Sequence, residues 1–319
     1  MLGFPALAEK AQPETIDLIP VRVNDQVDFP ALAMADENVP AYKAPPRRAH
    51  SYGPWVRMGE VAGMSDRVIE FLEVGTTPNR RAIAVQASLG GAPGVIWLGG
   101  FKSDMMGTKA VALAAWAHKA GRACVRFDYS GHGQSKGQFT DGTIGRWLEE
   151  SFAVFERFCR GPQVLVGSSM GGWLALLLAR ELKQRPAAAH LVGMVLIAPA
   201  VDFTEVLMWK NFPPAVKQEL EAKGVWIRPS QYDPEGYPIT KRLVEEGRSH
   251  LLLGGMIETG CPVRILQGAL DPDVPWTHAV ELVSRLAQDD VVLTLVKDGD
   301  HRLSRPEDID RLINAVQEL

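Results

Sequence analysis

The sequence is poor in cysteine: its 319 residues contain only Cys124, Cys159 and Cys261. The three are widely spaced and odd in number, which argues against a disulfide framework and fits a reducing compartment. Their spacing matches no zinc site, so we expect all three to be buried packing residues. A cytoplasmic location is the expectation that follows.

A surplus of basic charge and long apolar runs are also lacking. Thirty-four Lys and Arg residues stand against 38 Asp and Glu, a formal net charge of -4, with no basic stripe. Nucleic acid is therefore not expected as a partner, because phosphate binding needs clustered positive charge. The longest apolar runs, such as residues 190–201, are far shorter than the roughly 20 residues that span a bilayer. We expect no transmembrane segment and a small-molecule substrate as the partner.

Motifs for nucleotides and metals are missing as well. The sequence has neither a G-x-x-x-x-G-K-[ST] phosphate loop nor an H-E-x-x-H metal motif. The stretch GHGQSKG, residues 131–137, is rich in glycine but lacks the G-x-G-x-x-G spacing of dinucleotide-binding proteins. We therefore predict neither a cofactor nor a metal ion.

Residues 1–63 show no sustained periodicity of apolar residues of the kind that is typical of a strand or a helix. They hold eight of the 22 prolines, with eight acidic against six basic residues, and so fit neither a secretory signal nor a mitochondrial presequence. We interpret them as a flexible or loosely docked extension. At Met64 an alternating strand pattern begins abruptly, so we predict a folded domain over 64–319 and take Met64 as a candidate translation start.

From there the chain alternates between apolar, β-rich runs and helical patterns. Nearly continuous runs of Val, Ile and Leu separated by helices predict an α/β fold, with a mostly parallel sheet covered by helices on both faces. In such sheets the chemistry collects at the carboxyl ends of the strands. Strands are predicted within 64–75, 81–88, 94–100, 123–131, 163–168, 193–200, 262–269 and 291–299, and helices over 108–120, 143–160, 170–184, 277–287 and 306–318.

One connection is too long for a simple crossover. About 60 residues separate the strand that ends near Ala200 from the one that begins near Pro262, where a crossover needs only about a dozen. We predict a cap insertion over about 202–254, with two or three short helices around 228–238. We expect it to form a lid over the active edge of the sheet; a peripheral decoration is the alternative. Its apolar side chains include Met208, Trp209, Phe212, Trp226 and Tyr232.

The stretch VLVGSSMGGW, residues 164–173, contains two adjacent serines, of which one fits a G-x-S-x-G frame. Gly167, Ser169 and Gly171 make that frame, and Ser168 is only a small residue between them. A nucleophile at a sharp strand-to-helix turn needs neighbours two residues away that are nearly free of side chain. An apolar run precedes the frame and a helical pattern follows it, so we predict that Ser169 is a nucleophile.

A serine hydroxyl needs a general base, usually a histidine that a carboxylate holds in place. His301 follows the last predicted strand and is our candidate, with His132, after an earlier strand, as its rival. The carboxylate is expected after the preceding strand, where Asp271 lies closer to the strand end than Asp273. We favour Asp271, and expect Asp273 to cap the next helix or to face solvent.

Acyl transfer also needs hydrogen-bond donors for the oxyanion. The backbone N–H groups of Phe101, after the third strand, and of Met170, at the start of the nucleophile helix, are the candidates. Lys102, beside the first of these, and Trp209 in the insertion are candidate substrate-binding residues. A plain surface charge is the alternative for Lys102.

Six stretches together resemble the α/β-hydrolase fold superfamily, and within it the group that contains the mitochondrial palmitoyl-protein thioesterase, which also hydrolyses acyl glucuronides, and its bacterial relatives. The resemblance covers about residues 66–319. It implies an eight-stranded sheet with a small helical cap, a catalytic triad of Ser169, Asp271 and His301, and hydrolysis of acyl esters or thioesters without a cofactor. In lacking a mitochondrial presequence pattern, the sequence resembles the bacterial members and departs from the mitochondrial one. The stretches are GGFKSDMMGTKA, RFDYSGHGQS, VGSSMGGW, LIAPAVDF, LQGALDPDVP and DGDHRLSRPED.

These residues predict a serine hydrolase that cleaves carboxylic esters or thioesters of small or acyl-chain substrates through an acyl-enzyme intermediate. Two alternatives stay open. One is a non-catalytic ligand-binding protein on a hydrolase fold, since a fold does not determine a function. The other is a peptidase or a carbon–carbon hydrolase that uses the same triad.

Overall fold

A computed structural model describes residues 68–185, 188–229, 235–287 and 290–319. The predicted extension over 1–63 and the candidate start at Met64 lie outside the described residues. Within the described ranges, every helix is too short or too polar to span a bilayer.

Strands and helices alternate along these residues much as the hydrophobic pattern predicts. The strands are β1 Glu70–Val74, β2 Arg81–Ser88, β3 Gly91–Leu98, β4 Arg122–Phe127, β5 Gly161–Ser168, β6 Ala189–Ile197, β7 Val225–Arg228, β8 Tyr237–Thr240, β9 Val263–Gly268 and β10 Val291–Val296. The α-helices are α1 Thr108–Lys119, α2 Ile144–Phe158, α3 Met170–Gln184, α4 Pro214–Lys223, α5 Lys241–Gly247, α6 Trp276–Arg285 and α7 Pro306–Gln317.

Eight strands form one sheet in the order β1–β2–β4–β3–β5–β6–β9–β10. Strand β2 runs antiparallel to both of its neighbours, and the other adjacent pairs are parallel. The predicted α/β class and the mostly parallel eight-stranded sheet are confirmed. Strands β3 and β5 lie side by side at the centre, so the loops that follow them meet at one edge of the sheet.

Helices cover both faces of the sheet and enclose two hydrophobic cores. One core includes side chains of α2, α3 and α6, with Trp147 and Trp173 fully buried. The other includes side chains of α1 and α7, such as Leu113 and Leu312. Helix α2 is amphipathic, and the Thr143 hydroxyl at its N-terminus accepts a hydrogen bond from the Arg146 N–H. These buried faces hold the central strands, and with them the loops that carry the site.

The connection between β6 and β9 contains the inserted segment, residues 202–254. It consists of two short helical turns over 204–211, then α4, the β7–β8 hairpin and α5. Asp202, at its entry, accepts hydrogen bonds from the N–H groups of Leu252 and Leu253 at its exit, each at 2.9 Å. The buried carboxylate therefore closes the segment at its base, where the chain leaves and rejoins the sheet.

Two short helices, α4 and α5, lie on either side of the stretch 228–238, but its described residues are not themselves helical. The described residues there belong to an antiparallel hairpin, in which Val225 pairs with Thr240 and Arg228 with Tyr237. Short runs of β-branched and aromatic residues favour a strand pair when each packs against the other. Gly236, with φ of 71°, returns the chain so close to Arg228 that a side chain would clash with its carbonyl oxygen. Tyr232 lies outside the described residues.

A fully buried carboxylate, Glu150, ties three elements together. It accepts hydrogen bonds from Arg81 Nε of β2 at 2.5 Å, and from the Ser130 N–H and hydroxyl at 2.9 and 2.6 Å. Burial raises the pKa of Glu150, and its bonds to Ser130 and Arg81 oppose that effect. Helix α2, strand β2 and the loop after β4 are thereby linked through one side chain.

Replacing Glu150 with alanine is expected to lower the free energy of unfolding by about 3 kcal/mol, because Arg81 Nε and the Ser130 hydroxyl lose their buried acceptor while Arg81 keeps its ion pair with Glu149. Urea denaturation of the two proteins measures the difference. Glu73→Ala is the matched control: its ion pair with Arg80 is exposed, and we expect a change of about 1 kcal/mol or less. Equal effects of the two substitutions would show that the buried cluster adds no stability.

Candidate active site

Ser169 lies at the turn between β5 and α3. Its φ of 55° and ψ of -118° are rare for a residue with a side chain. Three backbone hydrogen bonds hold this conformation: the Ser169 N–H donates to Ile197 at 2.8 Å, and its carbonyl accepts from Gly172 at 2.9 Å and Ala200 at 3.1 Å. The turn places the hydroxyl at the carboxyl edge of the sheet.

Two glycines of the G-x-S-x-G frame permit the turn. A Cβ atom at Gly167 would clash with the Gly171 carbonyl, and one at Gly171 would clash with the carbonyl of Leu98 in β3. Neither obstacle is the flexible end of a side chain, so the backbone itself would have to move. The close contact brings the start of α3 against β3 as well as β5.

His301 makes hydrogen bonds to both Ser169 and Asp271. Its Nε2 lies 3.1 Å from Ser169 Oγ, and its Nδ1 lies 2.8 Å from Asp271 Oδ2. An ionised carboxylate only accepts hydrogen bonds, so Nδ1 carries the proton and Nε2 is left to accept one from the serine. The structure thus brings together three side chains that follow β5, β9 and β10.

Asp271 is held by its own loop. Its Oδ1 accepts the N–H groups of Asp273 and Val274 at 2.8 and 2.9 Å, and Oδ2 accepts Gln267 Nε2 at 3.3 Å. The Asp271 side chain is fully buried, whereas His301 is 19% exposed at the site. Gln267, in β9, was not among the sequence candidates, because a buried strand glutamine has no spacing that indicates its partner.

Two nearby aspartates have other partners. Asp273 was expected to cap a helix or face solvent, but its carboxylate pairs with Arg228 of the inserted segment at 2.9 Å, and Pro275 precedes α6. Asp300 accepts the N–H groups of Arg302 and Leu303, at 3.1 and 3.0 Å, and so shapes the loop that carries His301.

The two residues proposed from the sequence as oxyanion donors, Phe101 and Met170, line the same cavity as Ser169. Met170 is the first residue of α3, where the N–H groups have no acceptor within the helix and the helix dipole favours negative charge. Phe101 lies in the loop after β3, where a Cβ atom at Gly100 would be 3.3 Å from Ser169 Cβ. The Phe101 ring packs edge-on against Phe139, at 4.9 Å between centroids. It also packs edge-on against the rings of Trp147, Phe203 and Tyr237.

A cavity of about 450 Å³ opens beside Ser169 and His301. Volumes of roughly 300–1,000 Å³ are typical of small-molecule sites. Lys102 lines it, as the sequence predicts for a substrate-binding residue, but Trp209 does not. The Trp209 ring instead packs beneath the cationic groups of Lys217 and Arg248, at 5.3 and 5.2 Å. Its neighbours Leu207 and Met208 line the cavity together with Phe203, Arg228, Tyr237, Asp273, Val274, Arg302 and Ser304.

One group of side chains in the described residues has the atoms and spacing to hold a metal ion. Ligand atoms of Asp271, Asp273 and His301 lie within 4.8 Å of one another. A metal ion there would have to replace the hydrogen bond between Asp271 and His301. The arrangement therefore favours proton transfer through His301 over metal binding.

His132, the rival base, makes its hydrogen bonds elsewhere. Its Nε2 accepts the Lys102 N–H at 3.1 Å, and its Nδ1 lies 3.2 Å from the Ser130 carbonyl oxygen. The side chain is buried, and burial lowers its pKa to about 4. His132 is therefore a neutral part of the wall behind the Phe101 loop.

The sheet, its helices and the serine turn define an α/β hydrolase. Comparison with known proteins agrees: the family model described as serine aminopeptidase, S33, matches residues 95–250. Among solved structures, an Agrobacterium vitis S4 protein is 50% identical, with a TM-score of 0.77 over 79% of this chain and 98% of that one. Alpha/beta hydrolase domain-containing protein 10 from mouse is 35% identical, with a TM-score of 0.70 over 79% and 97%.

Curated relatives narrow the class further. The mitochondrial palmitoyl-protein thioesterases ABHD10 of Bos taurus and Homo sapiens are 38% and 36% identical over 252 residues, which cover 79% of this chain and 79% of each relative. The chain belongs to this family of α/β hydrolases and is a serine hydrolase. Its relatives are mitochondrial by name; a cytoplasmic location for this chain stays a prediction.

The buried His132 is expected to make stability depend on pH. Its pKa is about 4 in the folded protein and about 6.5 in an unfolded chain. Between these values the unfolded chain binds more protons, so stability falls as the pH is lowered, by about 3 kcal/mol in all. Denaturation of wild type and His132→Gln from pH 7.5 to 4 should show the stability difference between them narrowing. A difference that stays constant with pH would contradict this assignment.

Proposed function

We propose that the protein is a serine acyl hydrolase that cleaves carboxylic esters or thioesters through an acyl-enzyme intermediate. The observation that carries the proposal is the unbroken line of hydrogen bonds from Asp271 through His301 to Ser169, beside the 450 Å³ cavity. A ligand-binding protein on the same fold would need the cavity but not this line. The geometry therefore favours turnover.

In this mechanism His301 Nε2 takes the proton of Ser169 as Oγ attacks the acyl carbon. Asp271 keeps the proton on Nδ1 and stabilises the imidazolium that forms. His301 then gives its proton to the leaving oxygen or sulfur. In the second half it activates a water molecule, which releases the acid and restores Ser169.

The negative charge that develops on the acyl oxygen requires donors that are already in place. The N–H groups of Phe101 and Met170 supply them in the proposed mechanism. A single such donor contributes about 10²–10³-fold to kcat in serine hydrolases. Both donors are backbone groups, so their positions are set by the path of the Phe101 loop and by the start of helix α3.

The cavity walls favour a substrate with an apolar and a polar part. The inserted segment contributes Phe203, Leu207, Met208 and Tyr237, whose apolar surfaces fit an acyl chain. Lys102 and Arg302 also line the cavity, and their positive charges fit a polar or anionic leaving group. The ABHD10 relatives are palmitoyl-protein thioesterases by name, so acyl thioesters are the first substrate class that we propose.

Ser169→Ala is expected to lower kcat on a p-nitrophenyl ester by about 10⁴-fold or more, since the residual rate comes only from binding and oxyanion stabilisation. The matched control is Ser168→Ala, which changes the adjacent serine and should keep most of the activity. A fluorophosphonate probe should label wild type and Ser168→Ala but not Ser169→Ala. The reverse pattern would show that the nucleophile is misassigned.

The same assay defines the substrate class. p-Nitrophenyl esters of increasing chain length, an acyl-CoA, an acyl glucuronide and an aminoacyl p-nitroanilide cover esters, thioesters and the peptidase alternative. Higher kcat/KM on acyl thioesters and esters than on the anilide supports an acyl hydrolase. Preference for the anilide would support a peptidase instead, in line with the description of the matching family model as serine aminopeptidase.

Lys102→Gln is expected to raise KM about threefold for esters with an anionic leaving group, because an exposed charge contributes little more than that to binding. KM for a neutral ester and kcat for both should stay the same, since the charge acts on binding alone. Lys119→Gln, at the exposed end of α1, is the matched control. An equal rise in KM for both ester types would argue against an anion site.

A further inference from the structure

The loop that presents the Phe101 N–H is a tight turn over Gly100–Ser103. The Ser103 N–H donates to the Gly100 carbonyl at 3.2 Å, and Lys102, the third residue, has φ of 58°. Positive φ at the third position alone is typical of a type II turn, in which the central peptide is turned over relative to type I. Lysine does not favour this conformation by itself, so contacts outside the turn must select it.

The Lys102 N–H, which belongs to that central peptide, donates to His132 Nε2 at 3.1 Å. On the other side of the ring, Nδ1 lies 3.2 Å from the Ser130 carbonyl oxygen. An N–H group can only donate and a carbonyl can only accept, so the ring must be neutral with its proton on Nδ1. The two partners together determine the tautomer, and burial of the ring favours the neutral state.

The His132 ring, which accepts the Lys102 N–H, is held in place by its neighbours. The rings of Phe139 and Trp147 pack edge-on against His132, with centroids 5.0 and 5.3 Å away. Ser130 is itself held, because Glu150 accepts its N–H and hydroxyl, and Trp147 Nε1 donates to its carbonyl at 3.2 Å. The buried cluster around Glu150 thus extends to the Lys102 peptide.

A second anchor holds the far end of the same loop. Asp128 Oδ1 accepts the Met105 N–H at 2.6 Å, and Arg126 Nη1 donates to the Met105 carbonyl at 2.8 Å. Arg126, Asp128 and His132 all belong to the stretch RFDYSGHGQS. The stretch RFDYSGHGQS therefore contacts the loop after β3 at two points, the Lys102 peptide and Met105.

We propose that His132 is a positioning residue for the oxyanion hole. As a rigid, neutral acceptor it holds the Phe101–Lys102 peptide in one orientation, and so keeps the adjacent Phe101 N–H directed at the cavity. The proposal rests on the proposed function, because it requires Phe101 to be an oxyanion donor. This role differs from a purely structural one because it depends on a single acceptor atom, His132 Nε2, and not on the ring as a packing group.

Two substitutions separate the ring nitrogens. In His132→Asn the amide stays near the position of Nδ1, so the Ser130 contact is kept and the acceptor for Lys102 is lost. In His132→Gln the longer side chain carries an amide oxygen to the position of Nε2, so the acceptor is kept. His118→Asn, on the exposed side of α1, is the control for histidine replacement itself.

His132→Asn should lower kcat about 10- to 100-fold, as small misplacements of catalytic groups do, with KM changed less than about threefold. Its affinity for a trifluoromethyl ketone, which forms an oxyanion on Ser169, should fall in parallel with kcat/KM. His132→Gln should recover most of both quantities, and His118→Asn should match wild type. Equal losses in His132→Asn and His132→Gln, or no loss in either, would overturn the proposal.

Nitrogen-15 NMR of wild type tests the proposal without a substitution, and so decides the matter should His132→Asn not fold. The His132 signals, assigned by their loss in His132→Gln, should show a neutral ring protonated on Nδ1 at pH 7. A charged ring or a proton on Nε2 would overturn it. Fluorophosphonate labelling of Ser169 in wild type is measured separately: its failure rejects the proposed function, whereas labelling with no effect of His132→Asn rejects only the role of His132.

Discussion

The close contact of three backbone segments at Ser169 is the constraint on which the site depends. Helix α3 begins so near β3 that Gly171 lies against the Leu98 carbonyl, and the Phe101 loop passes over the serine through Gly100. Since β3 and β5 are neighbours in the sheet, the loops that follow them must share this space. Ser169 and the Phe101 loop are therefore adjacent as a consequence of strand order and of the glycines at positions 100 and 171.

Backbone strain is concentrated at the same edge. Lys102, Ser169, Ala198, Asp202 and Leu303 have positive φ although none is glycine, and all follow strands of the main sheet. Such conformations persist only where surrounding bonds over-determine them. Here those bonds come from neighbouring strands, from Asp300 for the His301 loop, and from His132 for the Phe101 loop. The interactions that stabilise this edge are thus the ones that position its polar groups.

The loop after β9 serves the site and the inserted segment together. Asp271 in this loop orients His301, and Asp273, two residues on, pairs with Arg228 of the β7–β8 hairpin. At the other end, Asp202 closes the segment through the N–H groups of Leu252 and Leu253. The apolar wall of the cavity is therefore tied to the sheet by carboxylates at both ends, which supports the lid as a proposal over a peripheral decoration.

The sequence by itself determined the class of fold and the positions of most of its elements. The periodicity of hydrophobic residues and the spacing of glycines are local properties, so they can be recognised without knowing tertiary contacts. The predicted ranges of β2, 81–88, and of α3, 170–184, agree with the structure to the residue. The serine, histidine and aspartate candidates could be named in the same way, since each follows a strand and a parallel sheet collects strand ends at one edge.

Only the tertiary structure decided which side chains meet. The β7–β8 hairpin, the pairing of Asp273 with Arg228 and the packing of Trp209 away from the cavity depend on contacts between distant stretches. The roles of Gln267 and His132 depend on hydrogen bonds of about 3 Å, whose partners have no fixed spacing along the chain. A histidine after a strand fits a general base or a buried acceptor equally well, and only its surroundings distinguish the two.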